Sequence, residues 1–146
     1  MIDFDRGFYV YLPIIKESIM IEKKILEPKR VRRIKGGFSF IPHRFLTDGF
    51  LASLNQKEIL LYLFLVLASD RYGLSFYSYD AICSLLQICV EDYIKARDGL
   101  MRKDLIAFDG TLFQVLELPK HPIQSAVPQT APSVVSNLIK QSLWEG

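Results

Sequence analysis

A run of ten apolar residues, 59 to 68, constrains the fold of this chain more than any other feature of its sequence. Asn55 stands before the run, and Glu58 lies three residues after Asn55, which is the spacing of a capping box at a helix start. We therefore predict a helix that begins at Asn55 and ends near Asp70. Because this helix is apolar nearly all round, it must be covered on most sides by its own domain, and the N-terminal segment and a second subunit are candidates for further cover. Ten residues are far fewer than the roughly 20 that cross a bilayer, so we expect no membrane partner.

Helix and hairpin signals continue downstream. Ser78 can cap a helix over residues 79 to 86, and another helix is predicted over residues 90 to 103. Asp109-Gly110 then separates two short apolar runs, which predicts a β-hairpin with a two-residue type I′ turn. The buried face of the helix over residues 90 to 103 is predicted from three residues at steps of three and four: Tyr93, Ala96 and Leu100.

The two ends of the chain differ in composition from its middle. A β-rich stretch, residues 8 to 12, is followed by residues 14 to 26, whose pattern fits a helix or a strand. After residue 118, Pro, Ser, Gln and Ala dominate, as is typical of a linker or disordered tail, and residues 136 to 144 can form a short amphipathic helix. Three parts are expected: an N-terminal extension of residues 1–37, a main domain of residues 38–118 and a Pro/Ser-rich tail of residues 119–146.

Positive charge is concentrated in one segment of the extension. The chain has a net charge of +2, but residues 23–35 hold seven basic residues and one acidic residue, Glu27. This basic segment therefore carries +6, and the rest of the chain carries −4. A segment so rich in Lys and Arg can neutralise several phosphates, although it can equally be a solvated strand or loop.

Residue types that support catalysis are scarce. His43 and His121 are the only histidines, and neither has neighbours in a triad or metal-ligand pattern. Cys83 and Cys89 match no zinc spacing, so we expect free thiols and no metal. Gly36-Gly37 lacks the Lys and Ser or Thr of a phosphate-binding loop. We expect no enzyme and no cofactor, and the acidic start of the chain predicts a cytoplasmic protein without a secretory signal.

From about residue 40 to residue 118 the chain resembles the winged helix-turn-helix domains of bacterial transcriptional regulators and of plasmid replication initiator and mobile-element proteins. The segments that carry the resemblance are Ile41-Pro42, the capped helix from Asn55, residues 68–76, residues 85–89, the Tyr93, Ala96 and Leu100 face, Asp104-Leu105-Ile106 and the hairpin. The resemblance implies an α+β fold of three helices and a short β-hairpin wing, here preceded by the β-containing extension.

The resemblance also implies a function. In such domains the helix after the tight turn lies in the DNA major groove, and here that helix begins with Glu91 and Asp92, whose charges oppose a polyanion. Three residues differ from those usual in such domains. Cys89 occupies the helix-cap position where Ser or Thr is usual, and Asp104 occupies the position where a glycine commonly ends the helix. Arg97 occupies a position where an apolar core residue is usual. The hairpin turn offers no Arg or Lys to a minor groove.

We expect a DNA-binding protein, either a transcriptional regulator or a replication or mobile-element accessory factor. The alternative is a module for protein interaction or homodimerisation without direct DNA readout. The residues expected to contact DNA are Arg30, Arg32, Arg33 and Lys35 of the basic segment and Lys95, Arg97 and Arg102 of the helix over residues 90 to 103.

Overall fold

A computed structural model of the chain describes residues 8–11 and 20–123, with side chains from residue 21 onward. These residues form two compact units, divided between Gly37 and Phe38. The short amphipathic helix that residues 136 to 144 can form lies outside the described residues. Within the described part of the chain, no helix combines the length and apolar character needed to cross a bilayer.

The N-terminal unit contains an antiparallel pair of strands. Strand β1 (Phe8–Tyr11) pairs with β2 (Met20–Lys23), with Phe8 opposite Lys23 and Tyr11 opposite Met20. The strand prediction at Phe8 is thus confirmed, and the helix-or-strand alternative is decided for residues 20–23 in favour of the strand. A single 3₁₀ turn, Pro28–Arg30, follows.

The second unit is a mixed α+β structure. Its elements are α1 (Arg44–Thr47), α2 (Gln56–Ala68), β3 (Leu74–Ser75), α3 (Tyr79–Leu86), α4 (Val90–Arg102), β4 (Ile106–Phe108) and β5 (Phe113–Val115). The three strands form an antiparallel sheet of order β3-β5-β4, so the first strand of this unit pairs with the last. This pairing was not predicted from the sequence.

Local side-chain caps fix the starts of the long helices. The Asn55 Oδ1 atom accepts the backbone N–H of Glu58 at 2.9 Å, and the Glu58 carboxylate accepts the N–H of Asn55 at 2.9 Å. The predicted capping box of α2 is therefore confirmed. Ser78 caps α3, and the Cys89 Sγ atom caps α4 by accepting the N–H of Asp92 at 3.4 Å. Thiol sulfur is a weak acceptor, yet it fills the position that Ser or Thr usually takes.

The core of this unit lies between α2, α4 and the sheet. The predicted face of α4 is buried, with Tyr93, Ala96 and Leu100 each at most 3% exposed. Each fully buried Leu or Phe contributes on the order of 1.5–3 kcal/mol by removal of apolar surface from water. The largest side chains withdrawn from solvent are Phe50, Phe113, Leu61, Leu65, Ile82, Leu100 and Leu105.

The hairpin turn differs from its prediction. The Asp109 N–H donates to the Leu112 carbonyl at 3.2 Å, so Gly110 and Thr111 are the central residues of the turn. Only Gly110 among them has a positive φ, 102°, which is the pattern of a type II′ turn and not of type I′. The predicted type I′ turn centred on Asp109-Gly110 is therefore wrong in type and displaced by one residue.

The packed chain extends beyond the boundary expected at residue 118. The Arg44 guanidinium donates to the carbonyls of Leu118 (3.3 Å), Pro119 (2.7 Å) and Lys120 (3.2 Å), and its Nε donates to Asp48 at 3.2 Å. The backbone of residues 119 and 120 is thus hydrogen-bonded to α1. The sequence does not mark these contacts, because they are made by backbone carbonyls, which every residue type supplies.

A buried ion pair joins α2 to the end of α4. The Lys103 Nζ atom donates to Glu58 Oε1 at 2.7 Å and to the Ser53 carbonyl at 2.8 Å. The side chains of Lys103 and Glu58 are only 12% and 4% exposed. The same Glu58 carboxylate completes the capping box, and a Cβ atom on Gly99 would overlap it. Glu58 therefore fixes both the start of α2 and its distance from α4.

We expect Lys103→Met to lower the free energy of unfolding by about 3 kcal/mol, because it leaves the buried Glu58 carboxylate without its cation. The matched control is Lys57→Met, which removes a lysine that lies 4.0 Å from Asp92 with both side chains well exposed. The control should change the free energy by less than about 0.5 kcal/mol. Urea denaturation of the two variants and the unsubstituted chain measures the difference, and equal effects would contradict a structural role for the buried pair.

Gly99→Ala should also destabilise the fold, by about 2 kcal/mol, since the added methyl group must displace a buried carboxylate or separate α2 from α4. Gly37→Ala is the control, because a Cβ at that position meets no atom within 4 Å. Thermal unfolding followed by circular dichroism compares the two. A Gly99→Ala variant as stable as the control would mean that α2 and α4 approach less closely than described.

Candidate functional site

Helix α4 presents a charged stripe to solvent. Four residues at steps of four, three and four lie on one side of the helix and alternate in sign: Glu91, Lys95, Asp98 and Arg102. Lys95 and Arg102 are exposed, and neither forms an ion pair with another described residue. Two helical turns separate them, or about 10.5 Å along the axis. Alternating signs are typical of a solvated helix face, so this stripe offers two isolated cations to a phosphate backbone and no continuous positive surface.

Arg97, the third predicted contact on α4, lies against the hairpin instead. Its guanidinium carbon is 5.2 Å from the centre of the Phe108 ring and 5.6 Å from that of Tyr93. Its Nε and Nη2 atoms both donate to Asp98 Oδ1, at 3.2 and 3.1 Å. Contacts of a guanidinium with two ring faces are favourable and hold the side chain in place. This packing explains how an arginine occupies a position where the resembling domains place a core residue.

The other exposed side of α4 forms one wall of an aromatic groove of about 580 Å³. Val90 and Ile94 line it from the helix, and Phe108, Gly110 and Thr111 line it from the hairpin. The opposite wall consists of four consecutive residues between β3 and the first turn of α3, namely Phe76, Tyr77, Ser78 and Tyr79. Phe76 is 70% exposed and Tyr79 is 51% exposed. Such exposed aromatic surface is typical of a binding site.

The aromatic wall is held in position by the core. The Tyr77 ring packs edge-on against Phe64 of α2, with ring centres 5.2 Å apart. On one side of the wall, Ser78 caps α3 and fixes the chain direction there. On the other side, Gly73 has a positive φ of 83°, and a Cβ at this position would overlap the Val115 carbonyl. The wall is thus fixed at both ends before any ligand binds, which lowers the entropic cost of binding.

The tip of the hairpin carries a carboxylate. The Asp109 side chain accepts the N–H groups of Leu112 at 2.7 Å and Thr111 at 2.9 Å. These backbone hydrogen bonds, that of Leu112 most strongly, hold the pKa of Asp109 below its ordinary value of 3.8. The tip is therefore negative at neutral pH, and no Arg or Lys lies in the turn.

The remaining predicted contacts all lie in the N-terminal unit. Arg30, Arg32, Arg33 and Lys35 are exposed, and none forms an ion pair with another described residue. The structure therefore places the seven predicted DNA contacts in two groups, three on α4 and four in the basic segment, which belong to different compact units. Aliphatic residues of the segment are exposed as well, with Ile34 at 72%.

The environment of Cys83 does not activate its thiol. Partial burial raises the pKa of the Cys83 thiol, and the neighbouring Asp80 and Cys89 raise it further, so the thiol is protonated at neutral pH. Among the residues that the structure describes, no group of three or more His, Cys, Asp or Glu side chains could hold a metal ion.

The aromatic groove was not predicted from the sequence. Its walls come from three separate stretches of the chain, and only the fold brings them together. One local signal was present, because three aromatic residues surround the predicted cap Ser78 and an exposed helix start rarely needs so many.

The carboxylate of Asp109 should make stability depend on pH. Because its folded pKa is depressed, its contribution is fully present above the ordinary value of 3.8 and disappears as the pH falls through the lower folded value. Asp109→Asn should therefore show a smaller drop in melting temperature than the unsubstituted chain when the pH falls from about 5 to about 2.5. Glu117→Gln is the control on an exposed acid, and parallel curves for all three proteins would contradict the turn described.

Comparison with models of protein families, with curated proteins and with solved structures finds no match to this chain. Its function is therefore inferred from topology and from the chemistry of two surfaces, the basic segment and the face of α4 with its aromatic groove.

Proposed function

We propose that the unit from residue 38 onward is a winged-helix domain. Support comes from the order α2-β3-α3-α4-β4-β5 and from the sheet order β3-β5-β4. In this assignment α3 and α4 are the helix-turn-helix, joined through Gln87, whose left-handed backbone (φ 55°) makes the tight turn. The hairpin of β4 and β5 is the wing.

We further propose that the protein binds DNA, as a transcriptional regulator or as a replication or mobile-element accessory factor. The observation that carries this proposal is the exposure of Arg30, Arg32, Arg33 and Lys35 without ion-pair partners among the described residues. Unpaired cations at this density release several counterions when they contact phosphates, and this release dominates non-specific DNA affinity.

Helix α4 has a smaller part in this function. Lys95 and Arg102 are free to contact phosphates, whereas Arg97 is already engaged with Asp98 and two rings. Asp92 lies 4.0 Å from Lys57, which offsets part of its charge, but Glu91 has no such neighbour among the described residues. The basic segment should therefore supply most of the affinity, and discrimination between base sequences should be modest.

A second candidate function is binding of another protein. The aromatic groove favours it, because its lining is mostly aromatic and aliphatic and Arg97 is the one charged residue among the described side chains that form it. A DNA duplex exposes little apolar surface that could fill such a groove, whereas the centres of protein interfaces are rich in it. The two functions are compatible, since the groove and the basic segment are different surfaces.

The DNA proposal is tested with a variant in which Arg30, Arg32, Arg33 and Lys35 are all alanine. Its affinity for mixed-sequence duplex DNA should fall at every salt concentration. The slope of log K against log salt should become shallower by about 0.9 for each phosphate that the variant no longer neutralises. Fluorescence anisotropy with a labelled duplex at several salt concentrations measures both quantities.

The control for this experiment is Lys57→Ala/Arg71→Ala/Lys120→Ala, which removes three cations from the other unit, one fewer than the segment variant removes, and should leave the slope nearly unchanged. Lys95→Ala/Arg102→Ala should give an intermediate decrease in affinity. An unsubstituted chain that does not bind DNA at low salt would contradict DNA binding. Equal decreases in the segment variant and the control would mean that net charge, and not this segment, drives the interaction.

A further inference from the structure

Exposed acidic residues outnumber exposed basic ones beside the aromatic groove. Arg97 is the only charged residue among the described side chains that line it, and its guanidinium is paired with Asp98. Three exposed acidic residues are immediate chain neighbours of lining residues, namely Asp80 beside Tyr79, Glu91 beside Val90 and Asp109 beside Gly110, against one exposed basic neighbour, Lys95 beside Ile94. A ligand that complements this surface is apolar where it meets the rings and cationic where it meets the rim.

The basic segment of the same chain has this chemistry. Val31 and Ile34 are exposed aliphatic residues, and each is flanked by Arg or Lys on both sides. Val31 has φ −64° and ψ 130°, which lies in the polyproline II region. That helix has three residues per turn, so a ligand segment that binds in this conformation from residue 31 to residue 34 places Val31 and Ile34 on one edge and the cations on the other two.

Pro-rich segments in the polyproline II conformation bind to grooves lined by aromatic side chains in other proteins, where the rings receive the side chains of one edge. We propose that the aromatic groove of one copy of this protein binds the basic segment of a second copy. Val31 and Ile34 lie against the aromatic wall, and the neighbouring arginines face Asp80 and Glu91. Each chain supplies one groove and one segment, so two copies can close a symmetric dimer with two equivalent contacts.

This association goes beyond the proposed DNA binding and requires no nucleic acid. Because the same arginines would contact either phosphates or the rim of the groove, DNA and the second copy compete. Addition of duplex DNA should therefore dissociate the dimer.

Sedimentation velocity of the nuclease-treated full chain over a range of concentrations tests the proposal. The unsubstituted chain should dimerise, and both Arg32→Glu/Arg33→Glu and Tyr79→Ser/Ile94→Ser should raise the dimer Kd about tenfold or more. Leu67→Ser is the control, since Leu67 is an exposed residue of α2 outside the groove, and it should leave the Kd unchanged.

Charge reversal gives the decisive measurement. Asp80→Lys/Glu91→Lys and Arg32→Glu/Arg33→Glu should each dimerise much more weakly alone than the unsubstituted chain does, but a mixture of the two should form a heterodimer as readily as the unsubstituted chain dimerises. A monomeric unsubstituted chain at concentrations up to about 100 times those used for DNA binding would overturn the proposal. So would a dimer that is abolished in Leu67→Ser and kept in the groove variant, or a mixture that fails to associate.

Discussion

The contact between Glu58 and Lys103 holds the domain together. One buried carboxylate caps α2, pairs with the lysine that follows α4, and occupies the space that a side chain at position 99 would need. A buried charge without its partner costs several kcal/mol, so α2 and α4 are restricted to one relative position. Both walls of the aromatic groove depend on that position, because Tyr77 packs on Phe64 of α2 while Val90 and Ile94 belong to α4.

The sequence predicted those elements whose signals are local. Asn55 with Glu58, and Ser78 with the helix it caps, act within four residues, and the starts of α2 and α3 were therefore predicted correctly. The pairing of β3 with β5 joins residues about 40 positions apart, and no local pattern encodes it. Glu58 illustrates the limit most clearly, since its capping role is evident from the sequence but its partner Lys103 lies 45 residues away. The hairpin was predicted correctly, but its turn type was not. That type depends on which central residue has a positive φ, and in the structure this residue is Gly110, at the first central position.

In the candidate site, too, the features that depend on local sequence were predicted and those that depend on the fold were not. The cations of the basic segment were identified by their density along the chain, and they are exposed. Charge alone could not indicate that Arg97 turns toward the Tyr93 and Phe108 rings, because Phe108 lies on a strand after the helix ends. The aromatic groove could not be assembled from the sequence either, since its walls become neighbours only after the hairpin folds against α4.

The three sides of helix α4 carry different kinds of residue and make different contacts. One side fills the core, the second alternates in sign, and the third joins the aromatic groove through Val90, Ile94 and Arg97. A helix that reads base edges needs hydrogen-bond donors and acceptors on the side that faces the DNA. One exposed side of α4 instead carries the apolar residues Val90 and Ile94 of the groove. The strongest cationic surface correspondingly lies elsewhere, in residues 23–35. The basic segment and the aromatic groove are thus separate surfaces of this chain, and a partner that complements both must be cationic where it meets the groove and anionic where it meets the segment.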